Sequence, residues 1–376
     1  MARLKVVTIL GTRPEIIRLS RIIPLFDRYF DHILVHTGQN YDYELNEIFF
    51  DDLNIRKPDH FLECAGSSAA LTMANVIAKS DQLFDELQPE ALLILGDTNS
   101  SLCAIPAKRR KIPIFHMEAG NRCFDMRVPE EINRKIVDHI ADINLPYTEI
   151  GRQYLIREGI SPETIIKTGS PLCEVIEHYQ SKFSDSKILD TLKLKAHRYI
   201  VVSCHREENI DYEQNFRALI DSLGQLVEKY DLPIIFSAHP RTNKKIASMG
   251  IKLNPRIQLI KPLSFSDYIA LQVNAFVVLS DSGTITEESS ILNFPAINIR
   301  DTHERPEGFE EGVAIFCGTD ERSIMQSIEI AIKQGRGQDR TIQRVSDYIA
   351  PNVSEKMARV IASYVGYVNK FVWRKG

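Results

Sequence analysis

Tryptophan occurs once and cysteine six times in the 376 residues of this chain. The cysteines stand apart, at positions 64, 103, 123, 173, 204 and 317, and no two make a Cys-x-x-Cys pair. That spacing excludes the usual zinc-ribbon and dithiol motifs, and a disulfide framework is not expected in a chain of this length without a secretion signal. The first apolar stretch, Val6 to Leu10, is short and holds Thr8, so no signal peptide is expected, and the thiols are expected to stay reduced in the cytoplasm. No run of ~18 apolar residues is present, which excludes an ordinary membrane-spanning helix. An excess of basic charge is also lacking: 46 Lys and Arg stand against 50 Asp and Glu, the net charge is −4, and no nucleic-acid partner is expected. There is no Gly-x-Gly-x-x-Gly, so a dinucleotide is not indicated. His116 with Glu118, and His205 with Glu207, are only two-ligand fragments, so neither a metal nor any other cofactor is expected. Internal repeats and low-complexity segments are absent.

What is present is a globular composition, 44% hydrophobic and 26% charged. At ~150 residues per domain the length predicts two domains. Short apolar runs alternate with helix-length amphipathic stretches. In the first half the runs are Val6–Leu10, His32–His36, Ala91–Leu95, Ile112–His116 and Ile143–Pro146. In the second half they are Tyr199–Ser203, Pro233–Ser237, Ile257–Ile260, Phe276–Ser280, Ala296–Ile299 and Val313–Phe316. Continuous apolar strands separated by helices predict parallel sheets covered on both faces. Because the pattern starts twice, two Rossmann-like, doubly wound α/β domains are expected. One is assigned to residues 1–170 with a C-terminal helix 354–376, the other to 171–353. Ligands of such sheets bind outside the carboxyl ends of the strands, so two domains facing each other would share a site in their cleft.

The candidate residues follow those strands. Gly11-Thr12-Arg13-Pro14-Glu15 ends the first, where glycine permits a tight turn and proline suits a first helical turn. Arg13 and Arg18 are expected near that helix N-terminus, a natural anion site. Asp97 follows the third run and Glu118 the fourth. Acids at strand ends are placed for shifted pKa values and proton transfer, though Asp97 could equally cap a helix from Ser100. Glu130, Glu131 and Arg134 open the next helix, in a place that also suits the helix dipole. After the Tyr199 run comes Cys204-His205-Arg206-Glu207-Glu208-Asn209, a polar cluster in which His205 is a candidate for phosphate binding or proton transfer. Ser282, Gly283 and Thr284 precede a helix and offer N–H and hydroxyl groups to a diphosphate, with Glu288 one turn on for ribose hydroxyls; a capping box is the alternative reading. Arg305 is a candidate cation of the cleft.

Together these segments resemble the non-hydrolysing UDP-N-acetylglucosamine 2-epimerase family. The matches are Gly11 to Glu15, Asp97, His116-x-Glu118-Ala119-Gly120, Pro129-Glu130-Glu131-x-Asn133-Arg134, His205-Arg206, Asp281-Ser282-Gly283 with Glu287-Glu288, and Arg305-Pro306-Glu307. One such motif is weak; seven in order, spanning residues 11 to 307, are specific. The resemblance implies the glycosyltransferase-B arrangement and a homodimer whose last helix returns to the first domain. It implies a UDP-linked N-acetylamino sugar held by Arg13, Arg18, Arg134, His205, Arg206, Ser282, Gly283, Thr284, Glu288 and Arg305. Asp97, Glu118 and Glu130 would be the acid/base carboxylates, with His205 alongside them.

The departures are informative. Arg18 stands where the family has Lys, Asn121-Arg122-Cys123 replaces Leu-Arg-Thr, and the loop before Pro129 is shorter by two residues. Glu207 replaces an Arg and Thr284 a Gly. Gln39-Asn40-Tyr41-Asp42 replaces a Gln-His-Arg-Glu segment that helps hold a second, activating UDP-GlcNAc in bacterial members, so that regulation is not carried over. The set is similar to one subgroup, the UDP-N-acetyl-L-fucosamine synthases. It implies C2 epimerisation of UDP-2-acetamido-2,6-dideoxy-L-talose for capsule or O-antigen. The alternatives are the parent UDP-N-acetylglucosamine 2-epimerase, a UDP-dependent glycosyltransferase, and a non-catalytic nucleotide-sugar sensor.

Overall fold

The computed structural model describes residues 3–39, 43–204, 209, 212–238, 240–300 and 302–375, with residues 43–46, 215, 240 and 241 described by backbone alone. The apolar runs form strands because they can be buried on both faces; Ala91–Leu95, for instance, is buried at every position. The strands of the first half are β1 (Lys5–Leu10), β2 (Asp31–His36), β3 (His60–Phe61), β4 (Ala91–Leu95), β5 (Ile114–Met117) and β6 (Ile143–Leu145). Those of the second are β7 (Ile200–Cys204), β8 (Ile234–Ala238), β9 (Ile257–Ile260), β10 (Val277–Ser280), β11 (Ala296–Asn298) and β12 (Ile315–Phe316).

They make two six-stranded sheets, ordered β3-β2-β1-β4-β5-β6 and β12-β11-β10-β7-β8-β9. Neighbouring strands pair in parallel, as in Val6 with Ala91 and Leu279 with Val202. Counted from its own first strand, each sheet has the same order, 3-2-1-4-5-6. Each is therefore a doubly wound α/β unit whose strand order reverses at one point, β1/β4 in the first and β7/β10 in the second. β3 went unanticipated, because two residues at a sheet edge carry no apolar run.

The chain divides into two compact units, residues 1–178 with 346–376, and residues 179–345. The first core packs Val7, Ile9, Val35, Leu92, Ile94 and Ile114 between helices, and the second packs Ile200, Val202, Phe236, Leu279 and Ile297. Each such fully buried aliphatic side chain stabilises its unit by ~1.5–3 kcal/mol. The helix Leu172–His178 lies in the first unit, eight residues past the sequence-based boundary, because Glu174 accepts the N–H of Ser354 at 2.9 Å. The chain rejoins that unit at residue 346, where Asp347 accepts the N–H of Glu149 at 2.9 Å and pairs with Lys167 at 2.7 Å. The helix Val353–Tyr367 then buries Met357 and Ile361 and packs on the helix Ile22–Tyr29. Among the described residues no helix is long and apolar enough to cross a membrane.

Candidate active site

In the first unit the groups expected to carry chemistry collect at the exits of β1, β4 and β5. β1 turns through Gly11, where an added Cβ would lie 2.2 Å from the hydroxyls of both Ser100 and Thr37, so no larger residue fits without rearrangement. The helix Arg13–Leu19 follows, with Pro14 in its first turn. Glu15 curls back to accept the N–H groups of Gly11 and of Thr12, the latter at 3.0 Å, and the hydroxyl of Thr98 at 2.6 Å. It thereby ties the end of β1 to the end of β4 across the reversal point. Burial pushes its pKa up to about 7, although the three hydrogen bonds favour the charged form. Arg13 opens the helix with its guanidinium 6.0 Å from the centroid of the Phe49 ring. Arg18 is not at the helix N-terminus as expected. The helix has only seven residues, so Arg18 falls in its last turn, buried, 5.5 Å from the Tyr147 ring centroid and with Nε 3.9 Å from Glu118 Oε2.

Asp97 does not cap the helical turn after β4; Thr98 does, its hydroxyl accepting the N–H of Ser100 at 3.2 Å. Instead Asp97 accepts Nε of Arg134 at 2.7 Å, while its carbonyl accepts Nδ2 of Asn133 at 2.9 Å. Both partners lie on the helix Pro129–Ile140. The other end of the Arg134 guanidinium donates to Glu131 at 2.9 Å. Glu131 also accepts the N–H groups of Cys123 and Phe124, each at 3.2 Å. Burial alone would raise its pKa, but the Cys123 N–H and Arg134 outweigh it and hold this carboxyl below the usual range. Of the two first-turn acids, Glu131 thus fastens the 122–125 loop, and Glu130 sits half-buried at the helix start.

Glu118 leaves β5 in the left-handed region, φ +64°, an uncommon place for a residue with a side chain. One carboxylate oxygen accepts Nδ2 of Asn121 at 3.3 Å. The other lies beside the exit of β4, 3.5 Å from where a Cβ on Gly96 would stand.

A buried charge network that the sequence reading did not identify stands behind these acids. His116 places Nε2 2.9 Å from the carbonyl oxygen of Gly96 and Nδ1 2.9 Å from Asp138. Asp138 also accepts the N–H of Gly120 at 3.1 Å and Arg122 at 2.7 Å, and Arg122 reaches Glu158. Burial disfavours the charged form of His116, but Asp138 outweighs it and the pKa is raised; burial likewise opposes the charge on Asp138, and His116 and Arg122 bring its pKa below the usual range. The signal was available: Glu131, Arg134 and Asp138 recur at i, i+3 and i+7 on the buried side of their helix.

In the second unit the ends of β7 and β10 flank the reversal point. His205, Arg206 and Glu207 lie outside the described residues. Asp281, fully buried, accepts the thiol of Cys204 at 3.1 Å and Nδ2 of Asn209 at 3.2 Å. The helix Thr284–Leu292 starts from Gly283 with no side-chain cap, so the capping-box reading of this segment does not hold. Glu288 accepts Nε2 of Gln272 at 2.8 Å, and Glu287 pairs with Arg305 at 3.0 Å. Arg305 also donates from Nε to the Gly283 carbonyl at 3.1 Å, bracing the turn. Ser282 and Thr284 hydroxyls lie 2.9 Å apart at the helix N-terminus, where the Ser282 N–H donates to Ser280 Oγ at 3.0 Å and the Thr284 N–H to Ser282 Oγ at 3.4 Å, and where the helix dipole favours an anion.

A family model described as UDP-N-acetylglucosamine 2-epimerase matches residues 26–362. The chain is similar to the structure of a UDP-N-acetylglucosamine 2-epimerase from Rickettsia bellii, with 49% identity, a TM-score of 0.93, and coverage of 99% of this chain and 100% of the other. It is also similar to the Methanocaldococcus jannaschii UDP-GlcNAc 2-epimerase in complex with UDP-GlcNAc and UDP, at 30% identity, a TM-score of 0.89, and coverage of 96% and 100%. A curated relative from Pseudomonas aeruginosa, UDP-2,3-diacetamido-2,3-dideoxy-D-glucuronate 2-epimerase, is 29% identical over 92% of this chain and 99% of its own length. The fold is accordingly the two-domain, glycosyltransferase-B-like α/β fold of these structures.

Proposed function

The chain belongs to the UDP-N-acetylglucosamine 2-epimerase family and is an isomerase of UDP-sugars, and from that premise we propose that it interconverts UDP-N-acetylglucosamine and UDP-N-acetylmannosamine. The relatives named for UDP-N-acetylglucosamine support this substrate. The observation that carries the chemistry is the pair Asp97 and Glu118 on neighbouring strand exits, one beside Arg134 and the other beside Arg18.

The hydrogen on C2 has no adjacent ring carbonyl, so a simple enolate is not accessible. A carboxylate takes the C2 proton, the C–H electrons form the C1=C2 bond, and the C1–O bond breaks with its electrons leaving on UDP. The 2-acetamidoglycal so formed is protonated at C2 from its other face, and UDP adds back to C1. Asp97, Glu118 and Glu130 share these proton transfers, each group of this kind contributing ~10²–10⁴-fold. Arg134 holds Asp97 in place, and Asn121, with the charge of Arg18 3.9 Å away, orients Glu118. The N–H groups at the start of the Thr284–Leu292 helix, with Ser282, Gly283 and Thr284, stabilise the departing diphosphate. Glu288 accepts the ribose hydroxyls, and Arg305 braces the turn. Arg13, Arg206 and His205 complete the anion-binding set by their match to the family motifs.

A second reading, epimerisation of UDP-2-acetamido-2,6-dideoxy-L-talose to UDP-N-acetyl-L-fucosamine, is favoured by Gly38 to Tyr43 and Gly120 to Asp125. In the latter segment Asn121 touches Glu118 directly. NMR in D₂O tests both. Deuterium entering C2 of UDP-N-acetylglucosamine with formation of the manno epimer supports the first reading. Exchange of the talose derivative alone moves the assignment to the second, and no exchange with either refutes epimerisation of these substrates.

A further inference from the structure

Resting on the epimerase reading, we propose that Asp138 is a positioning residue for the C2 proton transfers, setting Asp97 and Glu118 together although it touches neither. One oxygen of this fully buried carboxylate faces His116 Nδ1 at 2.9 Å, and the other takes the Gly120 N–H at 3.1 Å and Arg122 at 2.7 Å. These partners report to different strand exits. His116 contacts the Gly96 carbonyl at 2.9 Å, and Gly96 is the residue before Asp97. Gly120 and Arg122 belong to the loop that Glu118 enters with φ +64°.

The chemistry of the partners fixes the state of the ring. A carbonyl only accepts, so His116 Nε2 carries a hydrogen; a carboxylate opposite Nδ1 favours a hydrogen there too. Both neighbours thus favour the imidazolium form of His116, whose Nδ1 faces Asp138 Oδ1 at 2.9 Å as a charge pair outside hydrogen-bond geometry, and in that form it makes with Arg122, Asp138 and Glu158 a set of two cations and two anions. Loss of the Asp138 charge removes the reason for the ring to stay charged and unfastens the loop at Gly120 and Arg122 in the same step. An unusual backbone conformation such as that of Glu118 persists only where its surroundings over-determine it.

The test is Asp138→Asn in the full chain, assayed for deuterium exchange and turnover of UDP-N-acetylglucosamine and of the talose derivative, beside Val76→Ala as a destabilised comparator from the same core. A misplacement of about 1 Å costs on the order of 10²-fold in rate, so kcat is expected to fall roughly a hundredfold with KM held within about threefold, while Val76→Ala keeps its kcat below its melting temperature. A kcat for Asp138→Asn within about threefold of the parent, or a loss equalled by Val76→Ala, overturns the proposal. If Asp138→Asn does not fold, His116→Gln, which retains a donor for the Gly96 carbonyl, is expected to exceed His116→Ala in kcat by about tenfold or more; equal values overturn it. If the parent protein exchanges neither substrate, the epimerase reading fails by itself, and ¹⁵N NMR of His116 decides the clamp. A His116 ring that titrates at higher pH in the parent than in Asp138→Asn supports it; a ring that titrates at the same pH or lower in the parent overturns it.

Discussion

The two units share one strand order and one kind of reversal point, yet they arm it differently. In the first, Asp97 and Glu118 keep 25% and 13% of their side-chain surface open at strand exits, Asp97 bonded to Arg134 and Glu118 to Asn121 with Arg18 3.9 Å away. In the second, Asp281 and Glu287 are fully buried and Glu288 is 7% exposed, each bonded to a neighbouring side chain. Carboxylates that must exchange protons with a substrate need an open face. Those that shape a turn, as Glu287 does with Arg305, do not, and Glu288, proposed for the ribose hydroxyls, keeps only a narrow opening. On the proposed function, a common scaffold is divided into a proton-handling half and an anion-binding half, and what differs between the units is loop chemistry rather than topology.

That division is sharpest under substitution. Asp97→Asn and Glu118→Gln are expected to lower kcat by ~10²–10⁴-fold each while UDP still binds, as read by deuterium exchange at C2 beside UDP calorimetry. Full activity in both variants, correctly folded, would falsify their role. The next effect concerns Glu15, whose carboxyl is raised from 4.5 to about 7 by burial. Between those pH values the folded chain retains a proton that the unfolded chain releases. Stability present below pH 4.5 is therefore lost as pH rises through about 7. Glu15→Gln removes that slope, so the unfolding free energy of the variant relative to the parent should improve by about 3 kcal/mol from pH 4.5 to 8. A variant-to-parent difference that is the same at the two pH values would show that folding does not shift the Glu15 carboxyl and would overturn this expectation.

Smaller effects are expected in the second unit, and on binding. Gly283→Ala would bring a Cβ within 2.9 Å of Glu304 Oε1 and so disturb the turn. UDP affinity should drop about tenfold, which is about 1.4 kcal/mol, with turnover at saturation little changed. Ser282→Ala, which removes one hydroxyl from the helix N-terminus, should weaken UDP only about threefold, roughly 0.7 kcal/mol. A loss of kcat at saturating substrate in either variant would erase the distinction between the halves.

Much of this was legible in the chain itself. Strand exits at Leu10, Leu95, Met117, Cys204 and Ser280 follow from apolar runs that end in polar residues, because only buried parallel strands need such runs. The acids Asp97 and Glu118 were visible for the same reason. The pairing of Arg134 with Asp97, 37 residues apart, was not, since it depends on where a helix lies against a neighbouring strand. Arg18 was misplaced by a helix length that local propensity does not set. Asp138 shares the buried helix side with Glu131 and Arg134, but its three partners come from a strand and a loop that only the fold brings to it.

The route of the backbone between the units has a consequence for biosynthesis. Residues 179–345 are interposed within the first unit, whose remaining piece carries the helix Val353–Tyr367 and the Ser354 contact to Glu174. The unit that emerges first from the ribosome is thus the last to be completed. Its nascent sheet, with Asp97 and Glu118 already made, must wait through the synthesis of an entire second unit before Met357 and Ile361 arrive to cover the helix Ile22–Tyr29, and its exposed apolar flank is what a chaperone would meet in that interval.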